Sequence, residues 1–421
     1  MKKKTILFYT DCWEFGGSEK TIFELTSSVK FISNFDYVLI YRFNKPYFEG
    51  MLKFKPSFRF TKTIPIRLPD ISIWIYSLSK KISSKYLLIA TDLFLRITFR
   101  VFQPLFFMYD FIILFLLFSK QKAEVVHINN GGYPGALGCL AAAVAAKAAG
   151  KSRIIMTINN IAIKRKGLFE MLVDYLIRNS VNSFVSGSKA ATSALCEKRG
   201  FNRNRMIQIY HGINLLCQVN SAQTLCTSER NKIKQVVMIA LFEDRKGHHF
   251  VLKALKKLLI EHPEYSDIEL VLIGDGPLFK EMKNLVQVEN LNNNVCFLGY
   301  RRDYIGFLKT SLFLLNPSIG YEDLPYIIIE AMSLGIPAIG TDVGGIPEEI
   351  ENGITGIIVP PKDVDSLVNA MLLLLSDEKI RLKMGKNAKK RFEDLFTIEK
   401  MTEKYIKLYF EAASNFKNYG N

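Results

Sequence analysis

Glu322-Asp-Leu-Pro325-Tyr-Ile-Ile-Ile-Glu330-Ala-Met, then Ile336-Pro-Ala-Ile-Gly340, then Val343-Gly-Gly345-Ile-Pro-Glu348, is the stretch that decides how this chain is built. It reads as a polar loop, an apolar helix, a short buried strand and a glycine turn. Pro325 stiffens the loop. A loop that feeds a helix in this way can aim one of the two carboxylates, Glu322 and Glu330, at a ribose and the other at a sugar ring. The backbone N–H groups of residues 324–327, those of Leu324 and Tyr326 among them, would point toward phosphate. The plainer reading is a solvated pair of acids near a helix start, worth about 0.3–1 kcal/mol through the helix dipole.

The same alternation continues on both sides. Downstream, residues 353–359 predict another strand. Upstream, strands are predicted over 234–240, 269–274, 295–299 and 311–316. Lys246-Gly247 stands where the first of these turns into a helix, so a lysine and helix-start amides can meet one diphosphate. Gly274-Asp-Gly-Pro277 closes the second. Toward the N-terminus, residues 5–10 form an apolar run that ends in Phe15-Gly16-Gly17-Ser-Glu19, with a helical pattern behind it. Residues 124–130, 153–158, 182–185 and 206–210 follow as strands separated by helical segments, and polar residues collect at their carboxyl ends. This pattern predicts two doubly wound, Rossmann-like α/β domains, in which ligands bind beyond the strand ends. The expected boundaries are 1–214 for the first domain, 215–233 for a polar linker and 234–421 for the second domain, its last helix crossing back to the first. His127 and His211 sit near strand ends and are candidates for the site, although a lone histidine is more often structural.

With 421 residues, of which 49% are hydrophobic, the chain can fill two cores. Its net charge of +16 is uneven. Residues 1–214 hold 31 Lys and Arg against 13 Asp and Glu, and the remainder hold 25 against 27. The first half is therefore expected to meet an anionic surface. Nucleic acid is not the expected partner, because no zinc-finger spacing, RNP motif or helix-turn-helix pattern occurs. The six cysteines form no CxxC pair and suit a reducing compartment. Lys2-Lys3-Lys4 precedes an apolar run of only about five residues, with Asp11 after it, too short for a signal peptide. The expected location is the cytoplasm, peripheral on the inner face of the membrane. Residues 60–120 form an apolar, basic insertion. Trp74, Tyr76, Lys80, Lys81, Lys85, Tyr86, Arg96 and Arg100 lead into the run 101–118, which Pro104 and Asp110 interrupt. Three readings stay open: an interfacial patch with cations on lipid phosphates, a buried helix, or a span.

Together these segments resemble the retaining glycosyltransferases of family 4, which have the GT-B fold of two Rossmann-like domains facing a cleft. The stretch SIGYEDLPYIIIEAMSLGIPAIGTDVGGIPEEIENGITG carries most of the resemblance, with LVLIGDGPL, VCFLGYRRD and KGHHFVLKAL in matching order. GGSEK, VVHINN and YHGIN match more loosely. Only about residues 45–120 fall outside it. The resemblance implies that Glu330 holds the ribose hydroxyls, Glu322 touches the donor sugar and Lys246 neutralises the diphosphate. It also implies that Gly16 and Gly17 close over the donor, with Leu324, Pro325, Tyr326 and Gly274 around it. The family commonly has an arginine five residues before the lysine, where this chain has Leu241; Arg245 or Arg301 would supply that charge. It often has a histidine at the position of Asn129; here the nearest is His127, which becomes the catalytic candidate of the first domain. The implied donor is a UDP- or GDP-linked sugar, and no cofactor or metal is expected. The implied acceptor is a glycan or polyprenyl-linked glycan of bacterial capsule, O-antigen or exopolysaccharide assembly. A non-catalytic sugar-nucleotide-binding protein and a GT-B epimerase are the alternatives.

Overall fold

The apolar runs become strands buried on both faces, as parallel strands covered by helices must be. A computed structural model describes residues 3–13, 15–54, 60–68, 85–214, 234–320 and 322–414. The chain divides into two compact units. The first comprises Met1–Ser186, Thr192–Ile207 and Ile406–Asn421; the second comprises Gly187–Ala191 and Gln208–Tyr405. The stretch 215–233, expected as a linker, lies outside the described residues, as do Trp74, Tyr76, Lys80 and Lys81.

In chain order, the elements up to residue 208 are β1 (Lys4–Thr10), α1 (Gly17–Ser27), α2 (Val29–Asn34), β2 (Phe35–Arg42), α3 (Lys45–Phe54) and β3 (Lys62–Ile66). Then follow α4 (Lys85–Ser119), β4 (Val125–Asn130), α5 (Leu137–Ala148), β5 (Ile154–Ile158), α6 (Leu168–Ser180), β6 (Ser183–Ser186), α7 (Lys189–Arg199) and β7 (Met206–Gln208). The sheet order is β3-β2-β1-β4-β5-β6-β7, and the pairs from β3 to β6 are parallel. From β1 the chain winds first to one side and then, from β4, to the other. The order therefore reverses between β1 and β4, the place where such sheets leave a crevice at the strand ends.

The apolar segment of the insertion is part of α4, and Pro104 lies inside that helix. Neither interruption anticipated from the sequence breaks it. Asp110 is turned inward: its carboxylate pairs with Arg42 Nη2 at 3.4 Å, and Arg42 also grips Asp11 at 2.5 Å, with all three side chains nearly sealed from water. Phe107, Leu114 and Phe118 enter the core on the same face. The helix α5, built largely of buried alanines, packs along α4. A buried charge pair and a packed face hold α4 to the sheet.

The second unit contains β8 (Lys234–Ile239), α8 (His248–Glu261), β9 (Ile268–Ile273), α9 (Phe279–Val288), β10 (Val295–Gly299), α10 (Tyr304–Thr310) and β11 (Leu314–Asn316). It continues with α11 (Tyr326–Ser333), β12 (Ala338–Thr341), α12 (Ile346–Glu349), β13 (Gly356–Val359), α13 (Val364–Ser376), α14 (Glu378–Leu395) and α15 (Ile398–Ser414), whose last turns belong to the first unit. All strand pairs are parallel, in the order β10-β9-β8-β11-β12-β13. The reversal here falls between β8 and β11, the two strands whose exits carry Lys246 and Glu322.

Candidate active site

After β8 the chain makes a tight 3-10 turn, Asp244–Lys246, before α8. Gly247 joins turn to helix at φ +78, where a Cβ would sit 2.1 Å from the carbonyl oxygen of Pro317. Only glycine allows both the left-handed backbone and that approach. The Ile319 N–H donates to the Arg245 carbonyl at 2.8 Å, so the exits of β8 and β11 are stapled together. From the other side Gly344, at φ +58, lies so close that a Cβ would meet the Glu322 carbonyl oxygen at 1.8 Å.

This backbone packing brings the expected charges onto one atom. Lys246 Nζ donates to Glu322 Oε1 in a short ion pair, and Arg245 Nη1 reaches the same oxygen at 3.0 Å. Ser318 Oγ lies 2.9 Å from that oxygen and 2.9 Å from Asn316 Oδ1. Glu322 is 6% exposed, so its charge is matched by cations largely out of water. Two cations aimed at one point, at a strand-order reversal, form a place where a diphosphate can exchange for the carboxylate's charge.

Glu330 lies on α11, 2% exposed, and accepts a hydrogen bond from the Tyr304 hydroxyl at 2.9 Å. Leu324 is packed into the core of the second unit. Pro325 precedes the first turn of α11, which has no side-chain cap. The Tyr326 ring stacks on His211 at 4.8 Å between centroids. Burial lowers the His211 pKa to about 4, so the stacked imidazole is neutral at physiological pH. Gly274 follows β9, its N–H bonded to Gly299 O at 2.9 Å.

The remaining expected residues are placed differently. Arg301 is not with Glu322; its guanidinium holds the Asp303 carboxylate at 2.8 and 2.6 Å and lies over the Phe307 ring. Of the two arginines proposed for the second charge, Arg245 is the one on the cluster. Gly16 and Gly17 form the start of α1 in the first unit, where no side chain caps the helix. His127 is a correction. Its Nδ1 is 2.6 Å from the Tyr409 hydroxyl, its Nε2 is 2.6 Å from Thr157 Oγ1, and its ring packs on Phe8. It is 2% exposed, and burial lowers its pKa to about 3. Both ring nitrogens are engaged in the core of the first unit, so the structure places His127 in the packing of that unit.

The structure also adds residues. Ser318, which also donates to Asn316, and Tyr304 hold the two acids, and Asp323, between them in sequence, is 3% exposed. Asp323 accepts from the Ser188 hydroxyl in a short hydrogen bond and from the Gly187 N–H at 3.2 Å. In the first unit, Glu19 is fully buried and accepts from Thr10, Ser18 and Asn129 beside the Gly16 turn. None of these has a spacing that marks it in the sequence.

Asp323 gives a pH prediction. Burial pushes its carboxyl up to about 7, from 3.8. The folded state therefore binds a proton that the unfolded state has released, and this contribution is present at low pH and lost as pH rises through about 7. Asp323→Asn should flatten the fall in stability between these two values. Melting curves recorded across that range check this; an unchanged slope would count against a buried, proton-holding Asp323.

Two doubly wound units, with charge gathered where the order of the second sheet reverses, give the chain the build of a GT-B glycosyltransferase. Residues 227–391 match the family described as Glycosyl transferases group 1. The chain is 33% identical over 191 residues to N-acetyl-alpha-D-glucosaminyl L-malate synthase of Bacillus anthracis, covering 45% of this chain and 48% of that protein. It is 26% identical over 328 residues to the Escherichia coli UDP-Gal:alpha-D-GlcNAc-diphosphoundecaprenol alpha-1,3-galactosyltransferase, covering 73% and 80%. Among solved structures, Anabaena Alr3699/HepE in complex with UDP superposes with a TM-score of 0.71 at 15% identity, covering 97% of this chain and all of that one.

Proposed function

We propose that the chain is a retaining, family 4 glycosyltransferase. It would take a sugar from a UDP- or GDP-linked donor in the second unit and pass it to a glycan or polyprenyl-linked acceptor of surface polysaccharide assembly, bound by the first. The observation that carries this is the convergence of Lys246 and Arg245 on Glu322 at the β8/β11 reversal. The family match over 227–391 and the UDP-bound structural neighbour support the nucleotide assignment. The acceptor assignment draws on the galactosyltransferase relative and on the basic first half of the chain.

In this proposal Glu330, oriented by Tyr304, accepts the ribose hydroxyls, and the uncapped start of α11 donates N–H groups to phosphate. Lys246 and Arg245 stabilise the diphosphate as the bond from the anomeric carbon to its oxygen breaks and the electron pair leaves with that oxygen. The acceptor hydroxyl attacks on the same face, and its proton passes to the departing phosphate. Glu322 faces the sugar ring and the developing positive charge at the anomeric carbon. The side chains present supply the charge stabilisation a divalent cation could otherwise give, so transfer is expected to persist in EDTA. A thermal-shift screen against UDP, GDP and ADP, followed by transfer assays with the matching donor, tests the reading. UDP or GDP should raise the melting temperature; no shift with any of the three, together with no transfer, would overturn it.

A further inference from the structure

Where α6 and α7 end, the first unit has a cavity of about 380 Å³, within the range of small-molecule sites. Tyr175, Arg178 and Asn179 line it from the last turns of α6, where spacings of three and four put them on one face. Asn202 and Arg205 line it from the segment between α7 and β7. Phe184 and Phe201 close the back, their rings edge to face at 4.9 Å between centroids. Every polar lining residue precedes β6 or β7, so the cavity lies at the amino ends of these strands. Ligands of a doubly wound domain bind at the other, carboxyl ends, so this is not the crevice between β1 and β4.

Its charge is unbalanced. Glu170 and Asp174, the acids of α6, are both taken by Arg165 and Arg199. Among the described residues no carboxylate lies within ion-pair reach of Arg178 or Arg205. Backbone pins them instead. Arg178 Nη1 donates to the Gly200 carbonyl at 3.1 Å, and Arg205 Nη1 donates to the carbonyls of Arg178 and, at 3.4 Å, Val181. One nitrogen of each guanidinium is thereby fixed, and the rest of each planar fork can take an oxyanion. Asn179 donates through Nδ2 to the Tyr175 carbonyl at 3.0 Å, which leaves its side-chain oxygen to accept. Asn202 accepts from the Asn204 N–H at 2.9 Å, which leaves its NH2 to donate. Tyr175 is 59% exposed and offers a ring face and a hydroxyl.

A ligand that matches all of this carries an anionic group, hydroxyls that both donate and accept, and a flat apolar face. A carboxylate or phosphate alone leaves the ring, the amides and most of the volume unused. A nucleic-acid strand needs a run of cations along its backbone, and here both cations serve one cavity. A sugar ring that bears a carboxylate or a phosphate has every feature. We infer that this cavity is a second carbohydrate site, which holds an acidic sugar with its anionic group on Arg178 and Arg205 and its ring against Tyr175. The inference goes beyond the transferase reading and uses no residue of the donor cluster, so each can fail alone.

Titration calorimetry on the full-length chain tests it, with excess UDP present to occupy the donor cluster. Galacturonate trimer or glucose 6-phosphate should bind, and the two probes separate a carboxylate-bearing glycan from a sugar phosphate. Neutral maltotriose should bind at least about tenfold more weakly. Arg178→Gln with Arg205→Gln should weaken the acidic sugars by at least about tenfold and leave the UDP-induced thermal shift unchanged, while Lys246→Ala should do the reverse. Tyr175→Ala should weaken them by roughly fivefold. Its side chain lies at the surface, so this variant keeps its fold even if the arginine pair, which holds backbone carbonyls, does not. Acidic sugars that give no heat, or that bind these variants as they bind the wild type, would overturn the inference. So would inorganic phosphate binding as tightly as glucose 6-phosphate, or an oligonucleotide binding more tightly than the trimer and lost in the same variants. If UDP gives no thermal shift while an acidic sugar still binds through Arg178, Arg205 and Tyr175, the transferase reading fails and this one stands.

Discussion

Lys246→Ala is expected to lower turnover by about 10²–10³, the loss seen when one preorganised stabiliser of a developing anion is removed. Lys246 is 14% exposed at the end of a tight turn, its amine already aimed at the point where the β8 and β11 exits meet. Its removal leaves Glu322 held by Arg245 and Ser318, so the site should keep its shape and lose mainly charge. The loss should fall on kcat as well as on donor KM, because the diphosphate gains charge as the bond breaks. Glu322→Ala should cost a similar factor for a different reason: it removes the carboxylate facing the sugar and leaves two cations without their partner. Steady-state kinetics on both variants, with circular dichroism to show that the fold persists, checks this. Full activity in both would mean that the cluster is only a structural ion pair.

Arg199→Ala is expected to cost roughly 3–5 kcal/mol, the effect of removing one partner from a buried charge network. The Arg199 side chain is fully buried and holds Glu170 at 2.6 Å and Asp174 at 2.8 Å. It also lies over the Tyr133 ring, and the Tyr133 hydroxyl donates to Asp174 at 2.8 Å. Without the guanidinium, Asp174, itself fully buried, keeps only Arg165 and that hydroxyl. The first unit should melt lower by roughly 10 °C. A shift within the scatter of replicate melts would show that the network relaxes and that the arginine is not needed.

The sequence made the second unit more legible than the first, for physical reasons. Parallel strands buried on both faces leave continuous apolar runs, and turns that approach each other closely need glycine; residues 234–359 carry both signals densely. The meeting of Lys246 and Glu322 could be anticipated because both stand at strand exits. The choice between Arg245 and Arg301 could not, because it depends on Asp303 capturing the latter. His127 was misplaced because its partner, Tyr409, is 282 residues away, and no spacing shows which side of a fully buried strand meets which helix. Asp110 looked like an interruption in an apolar run for the same reason: Arg42, which answers it, is 68 residues distant. The apolar residues of α6 have plain helical spacing, but only the fold shows that Val173 and Ile177 form its buried face.

A crystal structure of the chain grown with UDP tests the central claim most directly. The account predicts the diphosphate within hydrogen-bonding reach of Lys246 Nζ and the Arg245 guanidinium, with the ribose hydroxyls on Glu330. Nucleotide bound elsewhere, with the contact between Lys246 and Glu322 unaltered, would contradict it.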